Sequence, residues 1–212
     1  MKNLLHKEFR LSIHPFYYVL PAILGALMLI PQWLFFLVPL YFCFISLPNL
    51  MSIYKSNNDI AFSVILPVAK RDIVRGRITA FVLLELMHVA WAVVFALINR
   101  SIYAVENFSF NLNIAFFGIT LILFGIVNIV VFPIFYRTAY RFGFAVIAAN
   151  IAALIFAAGA ELLVVFSERA RILMEQRLDT QLITLAAGIA LFVILTVVSY
   201  RISADRFEQV DV

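Results

Sequence analysis

Charged residues are scarce in this sequence. Only 13% of its 212 residues are Asp, Glu, Lys or Arg, while 65% are hydrophobic, and the mean hydropathy is +1.03. A soluble domain has about half apolar and about a quarter charged residues. A chain of this length cannot bury so much apolar surface in a core of its own, so we expect lipid to surround it. The composition excludes an ordinary water-soluble globular protein.

Several motifs of enzymes and metal proteins are also missing. Cys43 is the only cysteine, so neither a disulfide framework nor a cysteine metal site is expected. The seven glycines are scattered and form no phosphate-binding P-loop, so the chain is not expected to hydrolyse ATP itself. The three histidines (His6, His14 and His88) are too dispersed for a zinc site, and no H-E-x-x-H or G-x-S-x-G run is present. We therefore expect no catalytic residues, no metal and no cofactor in this chain.

Long apolar blocks are what the sequence does contain. Their length is that of membrane-spanning helices, which need about 20 apolar residues each. Pro31-Gln32 divides the first block, which is too long for one span. The predicted fold is therefore an all-α polytopic membrane protein, a single transmembrane domain over residues 1–212. Its six predicted spans are 16–30, 33–53, 79–98, 112–135, 142–166 and 182–200.

The basic residues predict the orientation of these spans. Twelve of the 16 Lys and Arg residues lie in the N-terminus, residues 55–77, residues 136–141 and the C-terminus, and four lie in the loops on the other side. Cytoplasmic loops carry the excess of Lys and Arg, so both termini and residues 55–77 are predicted to be cytoplasmic. The basic residues that give the net charge of +4 lie at the ends of the spans, so this charge does not indicate binding to nucleic acid.

Residues 1–13 can form an amphipathic helix before the first span. Leu5, Phe9 and Ile13 are spaced four apart, and Lys2, Lys7 and Arg10 take the other side. This spacing favours either a helix lying in the membrane interface or a simple basic segment.

A polar interruption at residues 55–77 separates two apolar blocks. Asp59 stands where a side chain can cap a short helix, and Pro67 ends that helix because it forces Leu66 out of the helical region. A second helix is predicted to begin near Lys70 and to continue into the third span. This segment could dock another protein, or it could be a solvated loop that only sets topology.

Glu85 and His88 are the only ionisable pair within one predicted span. Their spacing of three residues places them on one helix face. Ionisable groups at this depth are rare and often functional. They could form a proton relay, a polar patch on a translocation path, or a mutual hydrogen bond at a helix interface. Asn128, in the next span, is expected to bond between helices.

The run from Leu66 to Arg77 resembles a segment of the permease subunits of bacterial type-2 ABC exporters. There the run consists of Leu-Pro-Val-Ser, a basic pair, an acidic residue, Ile-Val and then a Lys. Here Ala69 takes the place of the Ser and Arg77 that of the Lys. Residues 7–11 are similar to the family's interfacial elbow helix. A small six-span permease with both termini inside is also the architecture of that family.

The resemblance implies a cytoplasmic ABC ATPase partner, which would hold the ATP and magnesium, and a second permease copy in a homo- or heterodimer. A short coupling helix between the second and third spans would bind the ATPase. The residues implied in this coupling are Asp59, Phe62, Ile65, Leu66, Pro67, Lys70, Arg71 and Asp72. Small permeases of this kind resemble exporters of amphipathic or antimicrobial peptides or other amphiphiles, in the bacterial plasma membrane.

Other functions remain open from the residues alone. A proton-coupled carrier using Glu85 and His88 would transport without an ATPase and would stop when the proton gradient collapses. A non-transporting membrane assembly subunit would bind partners without ATP-dependent flux. An intramembrane enzyme is the least favoured, because no catalytic pair is present.

Overall fold

The protein is all-α, as predicted. A computed structural model describes residues 2–57, 59–65, 67–103, 110–138 and 141–210. Over these residues the α-helices are α1 (Lys2–Lys7), α2 (Phe16–Gly25), α3 (Leu37–Ser56), α4 (Asp59–Ile65), α5 (Lys70–Ile102), α6 (Ile114–Thr138), α7 (Gly143–Phe166), α8 (Glu168–Arg171) and α9 (Leu178–Glu208). A π-helical turn, Glu8–Ser12, extends α1, and a second one, Ile172–Gln176, follows α8.

Five of these helices, α3, α5, α6, α7 and α9, are long and apolar enough by length and composition to cross a membrane. This confirms the prediction of a polytopic membrane protein. The first predicted span differs from the others, because α2 covers ten residues and continues only as a 3-10 turn to Leu29. Its apolar stretch is therefore shorter than the hydrocarbon thickness of a typical bilayer.

Two helices extend beyond their predicted spans. The third predicted span begins at residue 79, and the helix start predicted near Lys70 is confirmed, because α5 begins at Lys70. Its basic first turns are good helix formers, and Asp72 suits a helix N-terminus. The sixth predicted span ends at residue 200, whereas α9 continues to Glu208. The stretch 167–181, between the fifth and sixth predicted spans, is largely helical. Ser167 begins α8 by accepting a hydrogen bond from the N–H of Ala170 at 3.3 Å.

The core is centred on α6. This helix is apolar on all sides, and a helix with that pattern is usually buried all round. Its phenylalanines Phe116, Phe124 and Phe132 have no exposed surface. It packs against α9 on one side and α7 on another.

Glycines bring α6 and α9 into backbone contact. A Cβ at Gly188 would lie 2.2 Å from the carbonyl oxygen of Gly118, and a Cβ at Gly118 would lie 2.6 Å from that of Thr184. Only residues without a side chain allow such an approach, as at close helix crossings in membranes. On α7 the buried small residues recur every four positions, at Ala145, Ala149, Ala153 and Ala157.

The outward faces of α7 and α9 are apolar and uncovered. Only 22% of the most apolar window of α7 and 17% of that of α9 is buried within the chain. Phe144 and Ile183, for example, are about two-thirds exposed or more. Lipid or another protein must cover such faces, since they are too large and too apolar for water.

Candidate functional site

The short helix α4 lies between α3 and α5, where the sequence predicts it. It covers Asp59–Ile65, and the chain is irregular from Pro67 until α5 begins. Leu66 and the side chain of Asp59 lie outside the described residues, so the predicted cap stays a prediction. Phe62 is 51% and Ile65 is 83% exposed, and Pro67 is exposed as well. The helix therefore presents an apolar edge that its own chain does not cover.

The opposite side of α4 is hydrogen-bonded to the N-terminal segment. Ser63 is fully buried, and Lys7 Nζ donates to its Oγ at 2.7 Å. The same ammonium group lies 6.0 Å from the centre of the Phe62 ring. A second contact joins the N-terminal segment to α2, since the Tyr18 hydroxyl donates to the carbonyl oxygen of Phe9. Residues predicted as an elbow helix thus hold α4; their position in the membrane interface stays a prediction.

The basic pair after the break contacts the C-terminal end of the chain. Lys70 Nζ donates to the carbonyl oxygen of Val210 at 2.7 Å. The guanidinium of Arg71 donates to Glu208 at 2.7 Å and to Asp205 at 2.8 Å. The side chains of Arg71, Asp205 and Glu208 are each about half exposed. The carboxylates that pair with Arg71 are therefore supplied by α9 of the same chain.

A buried ionic cluster behind α4 was missed by the sequence reasoning. Arg77 is fully buried, Glu8 is 2% exposed, and Arg77 Nε lies 3.9 Å from Glu8 Oε2. The guanidinium carbon of Arg77 also lies 4.0 Å from the ring centre of Tyr54, a cation–π contact. Lys7 Nζ completes the cluster 3.4 Å from Glu8. It joins the N-terminal segment, α3 and α5 just behind α4.

A signal for this cluster exists in the sequence. Leu4, Glu8 and Ser12 are spaced four apart and lie on one buried face. In the sequence, Arg77 lies in the run that resembles the permease segment and Lys7 in the amphipathic N-terminal segment, but neither pattern distinguishes a buried basic residue from an exposed one.

Glu85 and His88 both lie in the core of the bundle with no exposed surface. Glu85 Oε2 accepts a hydrogen bond from Asn128 Nδ2 at 2.9 Å. Asn128 also contacts Thr196 Oγ1 at 3.3 Å, and Ser199 donates to its carbonyl oxygen at 2.6 Å. This polar bridge joins α5, α6 and α9, which confirms the interhelical role expected of Asn128.

His88 is held by aromatic rings. Its imidazole stacks on Phe42 with centroids 4.7 Å apart and meets the edge of Phe124 at 6.1 Å. Within the described part of the chain, neither ring nitrogen has a hydrogen-bond partner. The mutual Glu85–His88 hydrogen bond is therefore not made, and a role of the pair on a translocation path stays a prediction. Over the same residues no three His, Cys, Asp or Glu side chains are grouped to hold a metal ion.

The comparison with protein families gives one match. A family model described as "ABC-2 family transporter protein" matches residues 3–208, from α1 to the end of α9. No curated protein matches the chain, and no solved structure matches it. The matched range contains α4, the ionic cluster behind it and the Glu85–Asn128 bridge.

Proposed function

The chain belongs to the ABC-2 transporter family, and on that premise we propose that it is the membrane-spanning permease subunit of an ATP-driven exporter. Membership implies a membrane environment and an associated ABC ATPase. The sequence has no P-loop of its own, which fits a subunit that leaves ATP and magnesium to that partner. The chain itself would then be a non-catalytic transport subunit.

The observation that carries this proposal is the free edge of α4. A short helix with two exposed apolar side chains, Phe62 and Ile65, is suited to a groove on another protein. Its other side is attached to the N-terminal segment through Lys7 and Ser63. A force on α4 would therefore be shared between the N-terminal segment and the adjoining α5. These are the properties expected of a coupling helix.

The translocation path would form between two copies of the permease. The interior of one chain around Glu85, His88 and Asn128 is closely packed, and none of these side chains is exposed. The uncovered apolar faces of α7 and α9 offer surface for a second copy as well as for lipid. A path of this kind suits amphipathic peptides or other amphiphiles, since it would have apolar walls. With α4 beside the ATPase, both termini would be cytoplasmic in the bacterial plasma membrane.

Removal of the apolar edge of α4 tests the proposal. Phe62→Ala and Ile65→Ala should each weaken binding of the ATPase subunit, because apolar anchors in such grooves typically contribute about 2 kcal/mol or more, roughly thirtyfold in affinity. Binding would be measured by co-purification in mild detergent, and coupling by stimulated ATP hydrolysis in lipid nanodiscs. Ile65 is the more exposed of the two, whereas Phe62 also contacts Lys7.

The matched control is Phe166→Ala. Phe166 is 82% exposed, and it lies at the far end of α7. It should leave ATPase binding unchanged. Retention of full ATPase binding and turnover by both α4 variants, with the protein still folded, would show that α4 is not the coupling element. Flux that continues without the ATPase and depends on the proton gradient would instead support the carrier alternative, and partner binding without flux would support the assembly subunit.

A further inference from the structure

A groove of about 490 Å³ lies between α5 and α9, at the end of the bundle that carries α4. One wall is formed by residues on one face of α5, and the other by residues of α9. The lining residues are Arg75, Ile78, Thr79 and Val82 on α5, and Thr196, Val197, Tyr200 and Arg201 on α9. Thr196 also contacts Asn128 of the polar bridge, and none of the other lining residues belongs to that bridge or to α4.

The mouth of the groove is cationic. Arg75 and Arg201 enter it from the two helices, both exposed. Among the described residues no carboxylate is within ion-pairing distance of either guanidinium. The nearby acidic side chains of α9, Asp205 and Glu208, are paired with Arg71 instead. Two arginines from different helices are thus available to one anionic group.

The groove becomes apolar with depth. Val82 lies seven residues beyond Arg75, about 10 Å along the helix. Val197 lies one turn deeper than Arg201 on the facing helix, which runs in the opposite direction. Thr79 and Tyr200 place hydroxyl groups between these two levels. The change from basic to apolar side chains falls where both helices pass from polar sequence into their membrane-spanning part.

We propose that this groove binds an anionic phospholipid. The phosphate would lie between Arg75 and Arg201, because guanidinium groups match phosphate oxygens in charge and in bidentate geometry. The acyl chains would run along Val82 and Val197. Basic residues at a membrane surface favour anionic over zwitterionic lipids by about 1 kcal/mol each. This site lies apart from α4 and does not depend on the proposed transport activity.

The test uses the full-length protein, purified in detergent, with lipid binding followed by native mass spectrometry. Phosphatidylglycerol and phosphatidylcholine with identical acyl chains are the probes. The double variant Arg75→Gln/Arg201→Gln should bind phosphatidylglycerol about thirtyfold more weakly, or about fivefold for each arginine, and should bind phosphatidylcholine as before. The matched control Arg10→Gln/Arg137→Gln removes two exposed arginines outside the groove and should change either affinity less than about twofold.

A second set of variants keeps every charge and fills the groove. Val82→Trp, or Val197→Trp from the other wall, should lower phosphatidylglycerol binding at least about tenfold by excluding the acyl chains. Val94→Trp is the control, since Val94 is exposed farther along α5, outside the groove. A thermal unfolding midpoint measured for each variant identifies any that fail to fold, and the two walls provide independent filling variants.

The alternatives give different results. Loss of binding in the arginine variant without loss in either folded filling variant would indicate a diffuse surface charge and would overturn the proposal. Displacement of the lipid by inorganic phosphate at equal concentration would indicate a site for phosphate alone. Equal binding of both lipids by the unaltered protein, or a groove occupied by a second copy of the chain, would also contradict it.

Discussion

Arg77 is a buried cation that contacts a carboxylate and an aromatic ring. Glu8 and Tyr54, which supply them, belong to two other segments of the chain. A buried ion pair contributes little net stability, but removal of one partner is costly because the other is left uncompensated. Lys7, the fourth member of the cluster, contacts Glu8 and also donates to Ser63 of α4, so the cluster is connected to α4. We therefore regard this cluster as the support of the proposed coupling helix.

Loss of the arginine charge should destabilise the protein strongly. Among the described residues, Arg77→Met leaves buried Glu8 with Lys7, 3.4 Å away, as its remaining cation, so we expect a loss of about 3 kcal/mol in the free energy of unfolding. Glu8→Gln/Arg77→Met removes both charges and should restore most of that loss. Thermal unfolding in detergent, analysed as a double-mutant cycle, measures the coupling. Equal destabilisation by the single and the double variant would contradict an ion pair between these residues.

For individual residues, the sequence identifies the important side chains more readily than it identifies the side chains they contact. Glu85 and His88 stand out because ionisable groups are rare in apolar spans, and Asn128 because an amide there must find a bond. The Glu85–Asn128 bond itself links different helices, and no local pattern specifies which helices are neighbours. Arg77 was missed for a related reason. Its partner Glu8 precedes it by 69 residues in the sequence, and only the fold brings the two together.

Among the elements, α6 and α9 have the closest contact. Because the backbone atoms at Gly118 and Gly188 touch, a methyl group at either position cannot be accommodated by rotation of a side chain. The two helices would have to separate along their length, and the Asn128–Thr196 and Ser199–Asn128 contacts would lengthen with them.

Gly188→Ala should therefore lower stability by about 1–3 kcal/mol or more, the usual cost of overpacking a well-filled interface. The matched control is Gly159→Ala on α7, where nothing lies within 4 Å of the added Cβ. That substitution should leave stability unchanged or raise it by up to about 1 kcal/mol through helix propensity. Thermal midpoints of the two purified variants provide the comparison. Equal thermal midpoints for the two variants would mean that the crossing of α6 and α9 has room for the added methyl group.

The helices themselves were largely predictable from apolar length, and their ends only in part. The start of α5 near Lys70 was predicted from the break at Pro67. Hydropathy marks only the part of a helix that lipid surrounds, so it could not show that α9 continues to Glu208. The short helix α4 was predicted from Pro67 and the polar residues before it. Its exposed edge follows from tertiary packing, which determines that Ser63 faces the N-terminal segment and Ile65 faces away.

For the molecule as a whole, the excess of basic residues predicts which side faces the cytoplasm. Single cysteines at Asn58→Cys, Glu106→Cys and Ile172→Cys, in a protein with Cys43→Ala, would be exposed to a membrane-impermeant thiol reagent in intact cells. We expect labelling at 106 and 172 and protection at 58, because four basic residues lie on the first side and 12 on the second. Residues 58 and 106 lie outside the described residues.

The control for this labelling is the same set of variants in opened membranes, where all three cysteines should react. Labelling of the cysteine at position 58 alone in intact cells would show that the protein has the opposite orientation. It would also place α4 on the side without ATP, which is incompatible with the proposed coupling.

The length of α5 has a mechanical consequence. Its 33 residues extend about 50 Å, whereas the hydrocarbon layer is about 30 Å thick. A rigid rod of this length that pivots at its middle moves each end by about 4 Å for a tilt of about 10°. The rod begins three residues after Pro67, close to α4, and its far end lies at Ile102. A sideways displacement of the end of α5 beside α4 would therefore move the other end, on the opposite side of the bilayer, by a similar distance in the opposite direction.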